Sequence, residues 1–212
     1  MHVTEIAEKV RALFLAKPGL VATEERLVEK FGLSRTPIRG ALLQLEHDGL
    51  IIRKRSGISL RKPDPKEIAD LYDMRALLEG YAAATVVKTG ALTTCSYKRL
   101  TVLAHRYEKA VDIGRKRQMV NASIEFHALV IEISNNQLLR QIWQRCAFQS
   151  RVVHLAYAIP QTMARVDSNP WPHGRLAEVL RHGSSDEAEH AFREHLLDSR
   201  KHLLQKLTGI TI

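Results

Sequence analysis

Apolar positions in the first sixty residues recur at helical spacing three times and then change period. Ile6, Val10, Leu13 and Phe14 give one face to a helix over residues 3–16, which Lys17-Pro18-Gly19 ends. Leu27, Val28 and Phe31 do the same for a shorter helix that Gly32 stops. Ile38, Ala41, Leu42 and Leu45 make the inner face of a third helix, from Ser34 to His47. The Ser34 hydroxyl is expected to accept a backbone N–H and cap it, and Pro37 is tolerated in the first turn. After Gly49 the period shortens. Leu50 to Ile52 begin a strand, residues 53–57 turn, and Ile58 to Leu60 return.

Arg61-Lys62-Pro63-Asp64-Pro65 breaks the pattern, because two prolines favour an extended link. Beyond it every segment reads helical. The first runs to about residue 88, with Ile68, Leu71, Met74, Leu77, Leu78 and Tyr81 as a wide apolar stripe. Further helices are expected over 92–113, 116–133, 136–158, 174–182 and 185–207, with a break around Pro160 and a loop holding Pro170 and Pro172. The expected fold is mainly α. Residues 1–62 form a winged helix-turn-helix, and residues 63–212 form an all-helical bundle whose interior could hold a ligand.

Charge sharpens the first of these assignments. The chain carries a formal +9. Residues 1–62 hold twelve basic against seven acidic residues, and 63–212 hold twenty against sixteen, so charge density is about three times higher in the first part. Residues 30–62 concentrate eight Lys or Arg against Glu46 and Asp48. Arg35, Thr36 and Arg39 open the third helix, with the two arginines four apart on one exposed side. Arginine bridges guanine O6 and N7, and a hydroxyl bonds a phosphate or a base edge, so this helix suits the DNA major groove. Taken alone, the same residues also describe a solvated helix end.

The stretch LVATEERLVEKFGLSRTPIRGALLQLEHDGLIIRKRSG resembles the winged-helix domain of the GntR family of bacterial transcription regulators. The resemblance implies DNA contacts from Arg35, Thr36 and Arg39, and from Arg55, Ser56 and Gly57 in the wing. Gly40 departs from it, standing where the family usually has Glu, at about 1 kcal/mol of helix propensity. Glu25 also departs, standing where many members carry an arginine.

LYDMRALLEGYAAATVV, with Arg75 and Glu79, resembles the opening of the helical effector-binding and dimerisation domain of the FadR-type branch, and IEFHALVIEISNN resembles a later block. That resemblance implies a divalent metal held by three His and one Asp, with an effector carboxylate approaching it. The ligands would be His127, His173 and His195, and imidazole suits zinc or nickel. Ser123, in SIEFH, stands where the Asp belongs. Glu125 points from a different face. From spacing alone, three of ten histidines are as readily core or surface residues. Arg75 and Arg151 are candidates for an anionic effector, since arginine matches a carboxylate bidentately. Each is alternatively a salt-bridge partner, the more so Arg151, which His154 and Tyr157 follow on one helix.

Cys95 and Cys146 form no CxxC pair, and no leader or ~20-residue apolar span is visible, so a cytoplasmic protein is expected. HExxH, GxSxG, Walker A and GxGxxG are all absent, which argues against an enzyme. The expected function is an operator-binding regulator controlled by a carboxylate-bearing metabolite. A metal-dependent enzyme and a ligand-independent DNA-binding protein are the alternatives. One reading head covers half a site, so a homodimer on a pseudo-palindromic duplex is expected.

Overall fold

The hairpin after the third helix is tighter than its sequence implies, and a further strand joins it. In the computed structural model, which describes residues 2–17, 19–156 and 171–208, β2 (Ile51–Lys54) pairs antiparallel with β3 (Gly57–Leu60). Lys54 stands opposite Gly57, so only Arg55 and Ser56 form the turn. The unexpected strand, β1 (Val21–Ala22), lies along the other side of β3. Two residues carry no period, and no pattern could have revealed it. Gly57 has φ 122°, and a Cβ there would lie 2.8 Å from the Ala22 carbonyl oxygen. The closeness of β1 therefore requires glycine.

By packing, the chain divides into two units, Met1–Pro63 with Val152–Ala158 and Asp64–Arg151 with Ile159–Ile212. In the first, α1 (Val3–Ala16), α2 (Glu24–Phe31) and α3 (Arg35–His47) enclose Val10, Phe14, Leu27, Ile38, Leu42 and Leu45, all buried. Gly40 lies where α1 meets α3. A Cβ would come 3.3 Å from Val3 Cγ1, so the propensity lost at this glycine accompanies close helix packing. Ser34 occupies the N-cap of α3 but makes no capping bond. Pro37 at the third helical position has no N–H to give it, a consequence the capping expectation overlooked.

The second unit begins with a reciprocal cap. Asp64 accepts from the Glu67 N–H at 2.8 Å and Glu67 accepts from the Asp64 N–H at 2.9 Å, with Pro65 in the first turn. Six helices follow among the described residues: α4 (Pro65–Thr89), α5 (Thr94–Asp112), α6 (Lys116–Ile133), α7 (Gln137–Ala156), α8 (His173–His182) and α9 (Ser185–Thr208). The end of the expected 136–158 helix, the break at Pro160, Tyr157 and Pro170 lie outside the described residues. Along its length α4 packs on α9, and α5 packs on α6. The core includes Val86, Leu100, Phe126, Leu129, Trp143, Leu176 and Phe192. No described helix is long and apolar enough to cross a membrane.

The apolar stripe expected on α4 splits. Ile68 and Leu71 are buried, but Met74, Leu77 and Tyr81 are 44%, 50% and 54% exposed. The inner face instead carries Tyr72, Arg75, Ala76, Glu79, Ala82, Ala83 and Val86. A charged pair replaces apolar residues there, which a hydropathy pattern cannot anticipate.

Candidate functional site

Three helices of the second unit bring His127 (α6), His173 (the first residue of α8) and His195 (α9) to one point. The ligand-bearing ring atoms lie within 4.8 Å of one another, and no ring is more than 5% exposed. Ring centroids are 4.8 to 5.2 Å apart. The His195 Nδ1 lies 2.8 Å from the Trp171 carbonyl oxygen, which only accepts, so Nδ1 carries the proton and Nε2 keeps its lone pair. His127 Nδ1 lies 2.5 Å from Glu79 Oε2, within ion-pair distance but off hydrogen-bond geometry. Two acceptors that close would repel, which puts the proton on Nδ1 here too. His127 Nε2 is then a buried acceptor with no hydrogen-bond partner, a situation that costs about 1–3 kcal/mol if left unanswered. His173 Nε2 lies 3.2 Å from Ser123 Oγ. Three imidazoles, one of them an orphaned acceptor, fit a late divalent ion. Ser123 borders that position without an anionic ligand atom. Glu125 pairs with Arg106 at 3.1 Å on the exposed side of α6.

Behind His127 stands a buried network that sequence reasoning did not foresee. Glu79 Oε1 accepts from Arg75 Nε at 2.8 Å and from Trp143 Nε1 at 2.7 Å, and Arg75 Nη1 donates to Ser150 Oγ at 3.0 Å. Burial alone would raise the Glu79 carboxyl, but Arg75 and then His127 outweigh it and hold the group at about 2. Arg75, a candidate for the effector, is thus engaged by Glu79 and Ser150. Arg151 is half-buried on α7, and its Nε makes no hydrogen bond. The available signals were the family block holding Arg75 and Glu79 and their four-residue spacing on one helix.

Lys116 lies seven and eleven residues before Ser123 and His127, on the same face of α6. Its Nζ is buried without a partner, and burial lowers the ammonium to about 8. A lysine depressed in the folded state destabilises while charged, and stability rises as pH climbs from about 8 towards 10.5. Lys116→Met is expected to stabilise the fold at pH 7, by under about 1 kcal/mol after solvent screening, and so to raise the melting temperature. It also flattens that alkaline rise, which thermal melts between pH 7 and 10 measure.

In the first unit, Arg35, Thr36 and Arg39 are exposed at the start of α3, and Arg55 and Ser56 form the exposed tip of the wing beside Gly57. Arg53 turns inward, 2.5 Å from Glu24 and 3.1 Å from Glu46. Glu24 also lies 3.5 Å from Arg39, and Glu25 lies 3.9 Å from Arg35.

Residues 3–58 match the bacterial regulatory proteins of the gntR family, and residues 70–198 match the FCD domain. The chain is 27% identical to the uncharacterized HTH-type transcriptional regulator YdhC of Bacillus subtilis, covering 90% of this chain and 85% of that protein. It is likewise 27% identical to the Glc operon transcriptional activator of Escherichia coli, covering 93% and 87%. Two solved structures share the fold. E. coli McbR/YncC has a TM-score of 0.75 at 19% identity, covering 97% of this chain and 98% of that one. A GntR regulator of Rhodococcus has 0.79 at 18% identity, covering 95% and 97%.

Proposed function

The chain belongs to the gntR family of bacterial regulatory proteins, with an FCD domain as its helical part, and from that premise we propose that a carboxylate-bearing metabolite bound there controls operator binding. The observation that carries the reading is the buried histidine cluster with its orphaned His127 Nε2. His127, His173 and His195 would hold a zinc or nickel ion, which when bound supplies Lewis-acid attraction for a carboxylate. Ser123 offers a hydroxyl beside it and no charge, so the effector's own anion completes the set. Arg151, with an unsatisfied Nε, is a further anionic contact. A panel of small carboxylic acids, with and without zinc, tests this in thermal melts, because a ligand that binds only the folded state raises its melting temperature. No stabilisation by any acid in the presence of zinc counts against it.

On the DNA side, Arg35 and Arg39 read base edges, Thr36 contacts the duplex, and Arg55, Ser56 and Gly57 follow it with the wing. Arg35→Ala and Arg39→Ala are each expected to weaken operator binding by about 1–3 kcal/mol and relax one base pair per half-site. Folded variants that bind as tightly as wild type would overturn the recognition-helix assignment.

The protein acts in the cytoplasm as a homodimer on a pseudo-palindromic operator. Met74, Leu77 and Tyr81 on α4, with Leu138 and Ile142 on α7, leave large apolar side chains exposed, and a second copy would cover them. Leu77→Glu is expected to shift the protein to monomer in sedimentation, raising the dissociation constant at least about tenfold through a desolvated charge. An unshifted profile would place the interface elsewhere.

A further inference from the structure

Each arginine at the start of α3 faces an acid at the start of α2, and the two acids differ in what else they do. Glu24 is mostly buried and spans Arg53 at 2.5 Å and Arg39 at 3.5 Å, so it ties the wing to the recognition helix. Glu25 has no such duty. Its side chain is 65% exposed, and among the described residues its one ion-pair partner is Arg35 at 3.9 Å, itself 73% exposed. A pair this open contributes little to folding, so the contact with Arg35 is not what holds α2 against α3. Its own backbone N–H and then the Thr23 hydroxyl lower the carboxyl below its ordinary value, which keeps it ionised.

On a duplex this charge needs an answer. Phosphates repel it, and an ionised carboxylate accepts but never donates. In the major groove the base donors are the N4 amino group of cytosine and the N6 amino group of adenine. Adenine sets its N7 acceptor beside N6, where it opposes the second carboxylate oxygen. Cytosine sets only its C5–H beside N4. We propose that Glu25 is an operator-selecting residue whose carboxylate accepts from cytosine N4 next to the base read by Arg35, and which repels duplexes offering no such donor. This rests on the reading of the first unit as the operator-binding part.

The test uses the full-length protein. Wild type, Glu25→Gln and Glu25→Ala are each used to enrich sites from a pool of randomised duplexes, and affinities for the enriched and an unrelated duplex are then measured at one salt concentration. Wild type is expected to enrich a cytosine at one position per half-site. Glu25→Ala loses that preference, binding the enriched site about tenfold less tightly relative to the unrelated duplex, and keeps the positions that depend on Arg35 and Arg39. Glu25→Gln, which donates as well as accepts, shifts the preference towards adenine. In a second arm, N4-methylcytosine at that position puts a methyl group in the groove, weakening wild type and leaving Glu25→Ala unchanged. If wild type enriches a motif that Glu25→Ala enriches identically, or if the methyl group has no effect on wild type, the role of Glu25 is overturned while DNA binding stands. If wild type enriches nothing, the operator reading itself fails.

Discussion

Replacing His173 or His195 with alanine is expected to abolish zinc binding and every effect of zinc on the melting temperature. The wild-type cluster has three imidazoles drawn from three helices and no carboxylate at Ser123. With two ligands left, no chelate joins α8 and α9 to α6, and the affinity falls by orders of magnitude. In wild type, zinc at 100 times its dissociation constant stabilises by about 2.7 kcal/mol, and a chelator reverses it. Ser123→Asp adds an anionic ligand atom next to His173 and tightens binding, with the effector needed less to hold the ion. Elemental analysis and melts with zinc and chelator check all three. Protein without metal, indifferent to both reagents, would leave the histidines as the polar lining of a metal-free pocket.

The second large effect lies one residue behind the cluster. Glu79→Ala leaves the Arg75 guanidinium buried without its counter-charge, Trp143 Nε1 without its acceptor, and His127 Nδ1 without the carboxylate beside it. Breaking a buried pair from one side costs about 3–5 kcal/mol. Arg75→Met with Glu79→Gln removes both charges, keeps the shape and recovers most of the loss, which urea unfolding midpoints measure. Acid gives a further check. Because the folded carboxyl is held at about 2 against an ordinary 4.5, its contribution is complete above pH 4.5 and is lost as pH falls towards 2. The double variant lacks that share of the acid limb. A Glu79→Ala protein as stable as wild type would mean that the network is ornamental.

The first unit was legible because its instructions are local. Thr23 caps α2 through the Arg26 N–H, Gly32 closes it in the left-handed conformation, and each helix carries its inner face at helical spacing. What stayed hidden depends on distant partners. β1 exists only because β3 lies beside it, and Gly40 matters only because Val3 approaches. On α4 the same limit produced an error. Met74, Leu77 and Tyr81 look like core, and Arg75 looks like an effector contact, until Glu79, Trp143, Ser150 and His127 are seen to form one buried network. That His127, His173 and His195 meet was legible from family blocks and not from spacing, since ten histidines allow many triples. Glu79 stood in a family block too, but nothing in the block tied it to His127 or Trp143.

α4 is a single rod of 25 residues, and the buried Glu79 and the exposed Met74, Leu77 and Tyr81 are carried on it together. Rolling it to move Glu79 off His127 turns Met74, Leu77 and Tyr81 through the same angle, since the side chains of one helix share its axis. Any rotation of α4 is therefore felt on its exposed side as much as at the histidine cluster.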